Sequence, residues 1–173
     1  GVFIQNSFDY VVAFFSVSLL KKSIVPISIH ASPAEILATL SCCDVSLLLT
    51  DSIHFEQMKL VLEGYETKID VFLIDKKISY KFGHLSNVVH VLPNSSETSI
   101  ALLVHTSGSL SQPKRVALSH KNLLANANSI VKSLSLSSDD VTIIAMPLHL
   151  ISAITSQMLT HLLIGATLVI MEL

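Results

Sequence analysis

The chain has 173 residues with 13 acidic and 11 basic side chains, a formal net charge of −2, and half of its residues are hydrophobic. This balance, without any run of Lys and Arg, argues against a nucleic-acid-binding role. The length suits one domain with its own hydrophobic core. The only cysteines, Cys42 and Cys43, are adjacent and have no Cys or His at zinc-ligand spacing. This indicates buried thiols in a reducing, cytoplasmic location.

Strand and helix patterns alternate through the first half of the chain. Asn6 or Ser7 can cap the first helix, Ser32 the second, and Asp51 or Ser52 the third. The second start is the clearest, because Ser32 is followed by a proline at the first helical position and by Glu35 in capping-box position. We predict helices over residues 8–20, 33–43 and about 52–63, and strands over residues 2–5, 24–28, 46–50 and 71–74.

The second half continues the pattern after a polar stretch. Residues 75–99 contain Lys, Ser, Asn, Gly and Pro, and predict loops with a short strand at 88–92. Strands are predicted at 100–104 and 116–118, and a helix at 121–134. The alternation predicts an α/β fold with a parallel sheet and helices on both faces. Residues 1–173 are expected to form a single partial domain, with 75–99 as the place for any subdomain break.

Residues 141–171 contain no Asp, Glu, Lys or Arg, and the run is long enough to span a bilayer. It divides, however, into a strand pattern, a helix pattern at 151–163 and a second strand pattern, with Pro147 and Gly165 between them. Buried parallel strands read as continuous apolar runs. We therefore predict a buried β-α-β unit here, and a membrane-associated protein with a spanning segment at 141–171 is the alternative.

The most informative segment reads T-S-G-S-L-S-Q-P-K-R-V-A-L-S-H, from Thr106 to His120. Hydroxyl side chains, backbone N–H groups and one ammonium are groups that bind phosphate. The segment lacks the second glycine of a P-loop and leads into a strand before any helix, so it is not a Walker A motif. On composition alone, a solvated hairpin loop is the competing interpretation.

The order of motifs resembles the adenylate-forming superfamily of acyl-CoA synthetases, peptide-synthetase adenylation domains and luciferases. The segment T-S-G-S-x-x-x-P-K-x-V-x-x-S-H is similar to the signature loop of that family. The matches elsewhere in the chain are V-P-I at 25–27, L-L-L-T-D at 47–51, N-L-L-A-N-A at 122–127, M-P-L-H at 146–149 and H-L-L-I-G-A-T at 161–167.

The resemblance implies that the chain is part of the large N-terminal domain of an adenylate-forming enzyme. It implies attack of a small carboxylate on the α-phosphate of ATP with Mg²⁺, then transfer of the acyl group to CoA or to carrier-bound pantetheine. A carrier protein is a possible partner. By the same resemblance, the β- and γ-phosphates are held by Thr106, Ser107, Gly108, Ser109 and Lys114. His149 resembles a residue that lines the acyl or adenylate pocket, and a structural histidine is the alternative.

Some residues depart from the family pattern. Leu110 replaces a hydroxyl residue, Ser111 the second glycine and Arg115 the third. Arg115 either assists phosphate binding or faces water. Asp139 and Asp140 form an acidic pair in a Ser-rich turn and are expected to be solvated, with no metal site.

Motifs that the family carries further along its chain, including the adenine-binding segment and the C-terminal lysine, are absent from these residues. The 173 residues are therefore expected to be an incomplete and inactive fragment. The alternative function is a non-catalytic α/β nucleotide-binding remnant or interaction module.

Overall fold

The computed structural model of the chain describes residues 1–63, 68–76, 78–82, 96–106 and 114–172. The strands are β1 (Val2–Phe3), β2 (Leu47–Thr50), β3 (Ile69–Leu73), β4 (Ile78–Phe82), β5 (Ile100–Thr106), β6 (Lys114–Ser119), β7 (Val141–Ile144) and β8 (Thr167–Ile170). The helices are α1 (Phe8–Leu19), α2 (Pro33–Cys42), α3 (Phe55–Glu63), α4 (His120–Leu134), a π-helix (Ala153–Leu159) and α5 (Thr160–Leu163), which continues the π-helix.

Serine side chains cap three of the helices, and of these Ser32 is a predicted cap and Ser7 is one of two predicted candidates. Ser7 Oγ accepts a hydrogen bond from the backbone N–H of Tyr10. Ser32 and Ser119 each form a reciprocal capping box with the third helical residue, Glu35 and Asn122 respectively. Each cap satisfies backbone N–H groups that a helix start leaves without partners. Local sequence is therefore sufficient to position these three helix starts.

The parallel part of the sheet is extended by a short segment at residues 24–27. On one side, Val2 pairs in parallel with Pro26, and on the other, Ile24 pairs in parallel with Leu102. Since β1 also pairs with β2, and β2 with β3, the strand order is β4-β3-β2-β1, then residues 24–27, then β5-β6. The predicted strand at 24–28 forms two isolated bridges, and these bridges join the four-stranded sheet of β1 to β4 to the strand pair of β5 and β6.

Two strand pairs at the outer edges are antiparallel, in contrast to the all-parallel pairing that the alternation predicts. β4 pairs antiparallel with β3, and β6 with β5. The prediction of loops throughout 75–99 is wrong over Ile78–Phe82, while the strand predicted at 88–92 lies outside the described residues. The sequence I-S-Y-K-F alternates apolar and polar residues with the period of a strand, and this was the signal for β4.

Helices cover both faces of the sheet, as predicted. Leu48 packs with Ile36 of α2 and Met58 of α3 in one buried cluster. The next residue, Leu49, packs with Tyr10 and other residues of α1 in a second cluster. Because successive side chains of a strand point to opposite faces, neighbouring leucines of one strand serve two cores.

The apolar run after residue 140 forms the predicted β-α-β unit. β7 and β8 pair in parallel, and the helix between them lies in the same core as α1. Its first part is a π-helix, whereas the sequence predicts a regular α-helix over 151–163. Val141, Ile143 and Val169 are exposed on the opposite face of this strand pair. Among the helices described, none is long and apolar enough to cross a membrane, and the cytoplasmic location stays a prediction.

Candidate functional site

The carboxyl ends of the parallel strands meet at one edge of the sheet. β1, β2, β3, β5 and residues 24–27 all run in the same direction, so the segments that follow them lie at this edge. In open α/β sheets, ligands bind outside the carboxyl ends of the strands. We call this edge of the sheet the carboxyl edge, and it is the candidate functional site.

The Ser-rich loop begins and ends at the carboxyl edge. Thr106 is the last residue of β5, and Lys114, the first residue of β6, is its partner in the antiparallel register. Facing residues of such a pair have Cα atoms about 5 Å apart. Residues 107–113, which include the predicted Ser107, Gly108 and Ser109, lie outside the described residues. The structure thus places the two ends of the predicted phosphate loop side by side.

Asn6 holds a second segment at the same edge. Its Nδ2 donates to the backbone carbonyl of Met146 at 2.9 Å, and its Oδ1 accepts from the backbone N–H of Leu148 at 2.6 Å. The Asn6 side chain is 4% exposed, so these bonds are shielded from water. From the sequence, Asn6 is predicted only as a candidate helix cap. Its actual role is to fix the residues that lead to His149.

His149 is half-buried and lies near His30, which follows residues 24–27 at the carboxyl edge. Burial, with the charge of His30 as a second cause, holds the pKa of His149 below its usual value. The imidazole is therefore neutral at neutral pH. It can donate or accept a hydrogen bond there but carries no positive charge for a carboxylate.

Arg115 is exposed, and its side chain also contacts a distant helix. Its guanidinium donates a hydrogen bond to the backbone carbonyl of Cys42, the last residue of α2. A cation at this position also complements the negative end of the helix dipole. The substitution of the family glycine therefore attaches β6 to α2. Cys42 is exposed and Cys43 partly exposed, contrary to the prediction of buried thiols.

Carboxylates near the candidate site have local structural roles. Asp51 Oδ1 accepts from the backbone N–H of His54 at 2.8 Å and contacts His54 Nδ1 at 2.7 Å, at the start of α3. Asp75 accepts from both the backbone N–H and the hydroxyl of Ser52. Away from the edge, Asp140 accepts from the backbone N–H of Ser137 at 2.6 Å and closes a turn. Within the described ranges, no three His, Cys, Asp or Glu residues form a metal-binding group.

An open apolar groove of about 350 Å³ lies elsewhere, near the amino ends of β2 and β3. It is lined by Ser16, Val17 and Leu20 of the α1 end and by Leu47, Leu49, Asp70, Val71 and Phe72 of the two strands. The groove is therefore separate from the carboxyl edge and from His149.

The sequence profile of the family described as AMP-binding enzyme matches residues 1–173, and the chain belongs to this family. The similarity to 4-coumarate–CoA ligase 2 of Nicotiana tabacum is 25% identity over 99% of this chain and 33% of the relative. The chain thus spans about a third of the length of that curated relative. A shorter match, to the acyl-CoA synthetase ALT10 of Alternaria alternata, is 46% identical over 70 residues, 40% of this chain and 12% of the relative.

Comparison with solved structures supports the same fold. The o-succinylbenzoate CoA synthetase MenE of Bacillus subtilis, solved with an acyl-adenylate intermediate, superposes with a TM-score of 0.80. The match covers 99% of this chain and 42% of that one at 24% identity. The predicted family and the predicted α/β fold of the large N-terminal domain are both confirmed.

Proposed function

We propose that the protein containing this chain activates a carboxylate with ATP. A carboxylate oxygen attacks the α-phosphorus, pyrophosphate leaves, and the acyl-adenylate then passes its acyl group to the thiol of CoA or of carrier-bound pantetheine. The observation that carries the proposal is the pairing of Thr106 with Lys114 at the carboxyl edge, which are the two residues that flank the Ser-rich segment 107–113 in the sequence. Family membership and the CoA-ligase relatives support the same chemistry.

In this proposal the loop binds the departing phosphates. Thr106, Ser107 and Ser109 supply hydroxyl donors, Gly108 allows the backbone to approach, and Lys114 neutralises charge on the β- and γ-phosphates. Mg²⁺ arrives on the nucleotide phosphates, the usual arrangement for this ion.

The carboxylate substrate binds beside His149 in the same proposal. Asn6 fixes the backbone at Met146 and Leu148, so the position of His149 is set before substrate arrives. Preorganised groups lose less entropy on binding. Because the imidazole is neutral at neutral pH, it orients the substrate by hydrogen bonding rather than by charge.

The test is a titration of the full-length protein with MgATP, comparing wild type with Lys114→Ala. Loss of a charge-assisted bond worth about 1.5–3 kcal/mol predicts roughly tenfold to hundredfold weaker binding. Lys121→Ala is the matched control, because Lys121 is an exposed lysine beyond the far end of β6. Absence of MgATP binding by wild type, or equal losses in both variants, would contradict the proposed role of the loop.

A non-catalytic nucleotide-binding protein is the second candidate, and the substitutions Ser111 and Arg115 in the loop region favour it. Carboxylate-dependent exchange of labelled pyrophosphate into ATP distinguishes the two. Exchange supports the ligase, whereas MgATP binding without exchange over a broad panel of carboxylates supports the alternative.

A further inference from the structure

The adjacent cysteines at the end of α2 hold their sulfur atoms in a defined arrangement. The Sγ atoms of Cys42 and Cys43 are 4.0 Å apart, compared with about 2.05 Å in a disulfide. Two thiolates on one tetrahedral zinc ion lie about 3.8 Å apart, given Zn–S bonds of about 2.3 Å. The observed spacing is therefore too long for a disulfide and close to the span of two sulfurs on one zinc ion. Rotation of the exposed Cys42 side chain would bring the sulfurs to the shorter span of pyramidal arsenic.

The backbone that carries the two thiols is fixed by a Schellman motif. The N–H of Val45 donates to the carbonyl of Leu40 at 3.0 Å, and the N–H of Asp44 to the carbonyl of Ser41 at 3.3 Å. Asp44 has φ +49°, the left-handed conformation that this motif requires. Burial of Leu40 and Val45 anchors the turn in the core. A ligand that bridges the thiols thus meets a backbone that is already ordered.

Arg115 adds a second constraint from a distant part of the chain. Its guanidinium bonds the carbonyl of Cys42, and Cys42 Sγ contacts the carbonyl of Thr39 at 3.6 Å. The Cys42 side chain remains exposed. The pair therefore combines an accessible first sulfur with a second sulfur at bridging distance.

The number of available ligands restricts the chemistry. Two sulfurs alone do not complete the four-ligand set of a structural zinc ion. A trivalent arsenic atom with one organic substituent needs only two sulfurs to complete its three bonds. We infer that Cys42 and Cys43 form a dithiol site for trivalent, monosubstituted arsenicals, independent of the nucleotide site.

The binding step balances without an oxidant. An arsenoxide has one As=O group, which breaks as two As–S bonds form, and the oxygen leaves as water with the two thiol protons. Arsenic remains trivalent throughout. Burial, followed by the neighbouring Cys42, raises the pKa of Cys43 to about 11, so its thiol is protonated at neutral pH. The exposed Cys42 therefore attacks first, and Cys43 closes the ring and supplies the second proton.

The experiment treats full-length protein with phenylarsine oxide and measures its intact mass after desalting in excess glutathione, a competing monothiol. Wild type should retain one phenylarsenic group per Cys42–Cys43 pair and release it to a small dithiol. Release should be roughly a hundredfold or more faster from Cys42→Ser and Cys43→Ser, because each lacks the second, intramolecular bond. If the variants retain the phenylarsenic group as long as wild type does, the inference is overturned. If Cys43→Ser does not fold, the comparison of wild type with Cys42→Ser is a sufficient test.

Thermal unfolding tests whether the folded geometry matters, because any adjacent cysteines bind arsenic in an unfolded chain. A ligand that prefers the folded protein raises the midpoint of unfolding, and one that prefers the unfolded chain lowers it. We expect phenylarsine oxide to raise the midpoint of wild type and not that of Cys42→Ser. A lowered wild-type midpoint would overturn the proposal of a preformed site.

Discussion

Asn6 and Leu148 are 142 positions apart in the sequence, yet the backbone N–H of Leu148 donates to Asn6 Oδ1 at 2.6 Å. The same side chain donates to the carbonyl of Met146, so both functions of one amide are used to hold one segment. This pair of bonds joins the segment after β1 to the segment after β7. The geometry of His149 therefore depends on a residue at the other end of the chain.

Replacing Asn6 by Ala should destabilise the protein by about 2–3 kcal/mol, because it removes both partners and leaves buried backbone groups unsatisfied. Denaturant unfolding of the full-length protein measures the change. Ser7→Ala is the control. It removes a helix cap worth about 1 kcal/mol without touching the Met146–Leu148 backbone. A loss for Asn6→Ala no larger than that of the control would show that the two bonds contribute little.

Tyr10→Phe should leave stability unchanged or raise it by about 1 kcal/mol. The Tyr10 hydroxyl is buried, and no hydrogen-bond partner for it lies within the described parts of the chain. Burial also raises the pKa of this phenol, which is therefore neutral in the folded protein. Removing a buried polar group without a partner eliminates its desolvation penalty while the ring keeps its packing. Thermal and denaturant unfolding test the prediction, and a clear destabilisation would reveal a partner for the hydroxyl.

Stability should fall in mild acid because of His149. Its pKa is lowered in the folded protein, so the unfolded chain takes up a proton first as the pH drops through about 6.5. The unfolded state then binds more protons, and the free energy of unfolding decreases from that pH down to the folded pKa.

Denaturant unfolding of wild type and His149→Gln across this pH range measures the effect, and the variant should show a smaller pH dependence. His30→Gln tests the secondary cause. It removes the neighbouring charge and should raise the pKa of His149 toward its usual value. Identical pH dependence in wild type and His149→Gln would contradict the prediction.

Ser111→Gly should strengthen MgATP binding by roughly fivefold. Ser111 stands where the family loop has a glycine, and a left-handed backbone conformation at that position costs a residue with a Cβ about 1 kcal/mol. The titration described for Lys114→Ala measures the change, with Ser138→Gly in a distant turn as the control. Unchanged or weaker binding by Ser111→Gly would show that this position does not require a left-handed conformation.

Features set by neighbouring residues were predictable from the sequence, and features set by distant residues were not. The capping box of Ser32 and Glu35 lies within four residues, so its signal is complete in the local sequence. The bonds of Asn6 to Met146 and Leu148 leave no such signal, because they depend on how the strands are arranged. Likewise, nothing near Arg115 indicates that its partner is the carbonyl of Cys42. The strands that flank the loop were predicted from the local pattern, at 100–104 and 116–118, and each reaches two residues closer to the loop in the structure.

The π-helix at Ala153–Leu159 also has a consequence for changes in chain length. A π-turn contains more residues than an α-turn, and Thr160 Oγ1 bonds the carbonyl of Thr155, five positions back, at 2.6 Å. Deleting one residue from the π-helix converts it to a regular α-helix. The helical residues before and after it then keep their orientation toward the core. The same deletion in α4 would rotate every later side chain by about 100° away from its core position. A chain that is one residue shorter in this helix can therefore keep Pro147 and Gly165 in place.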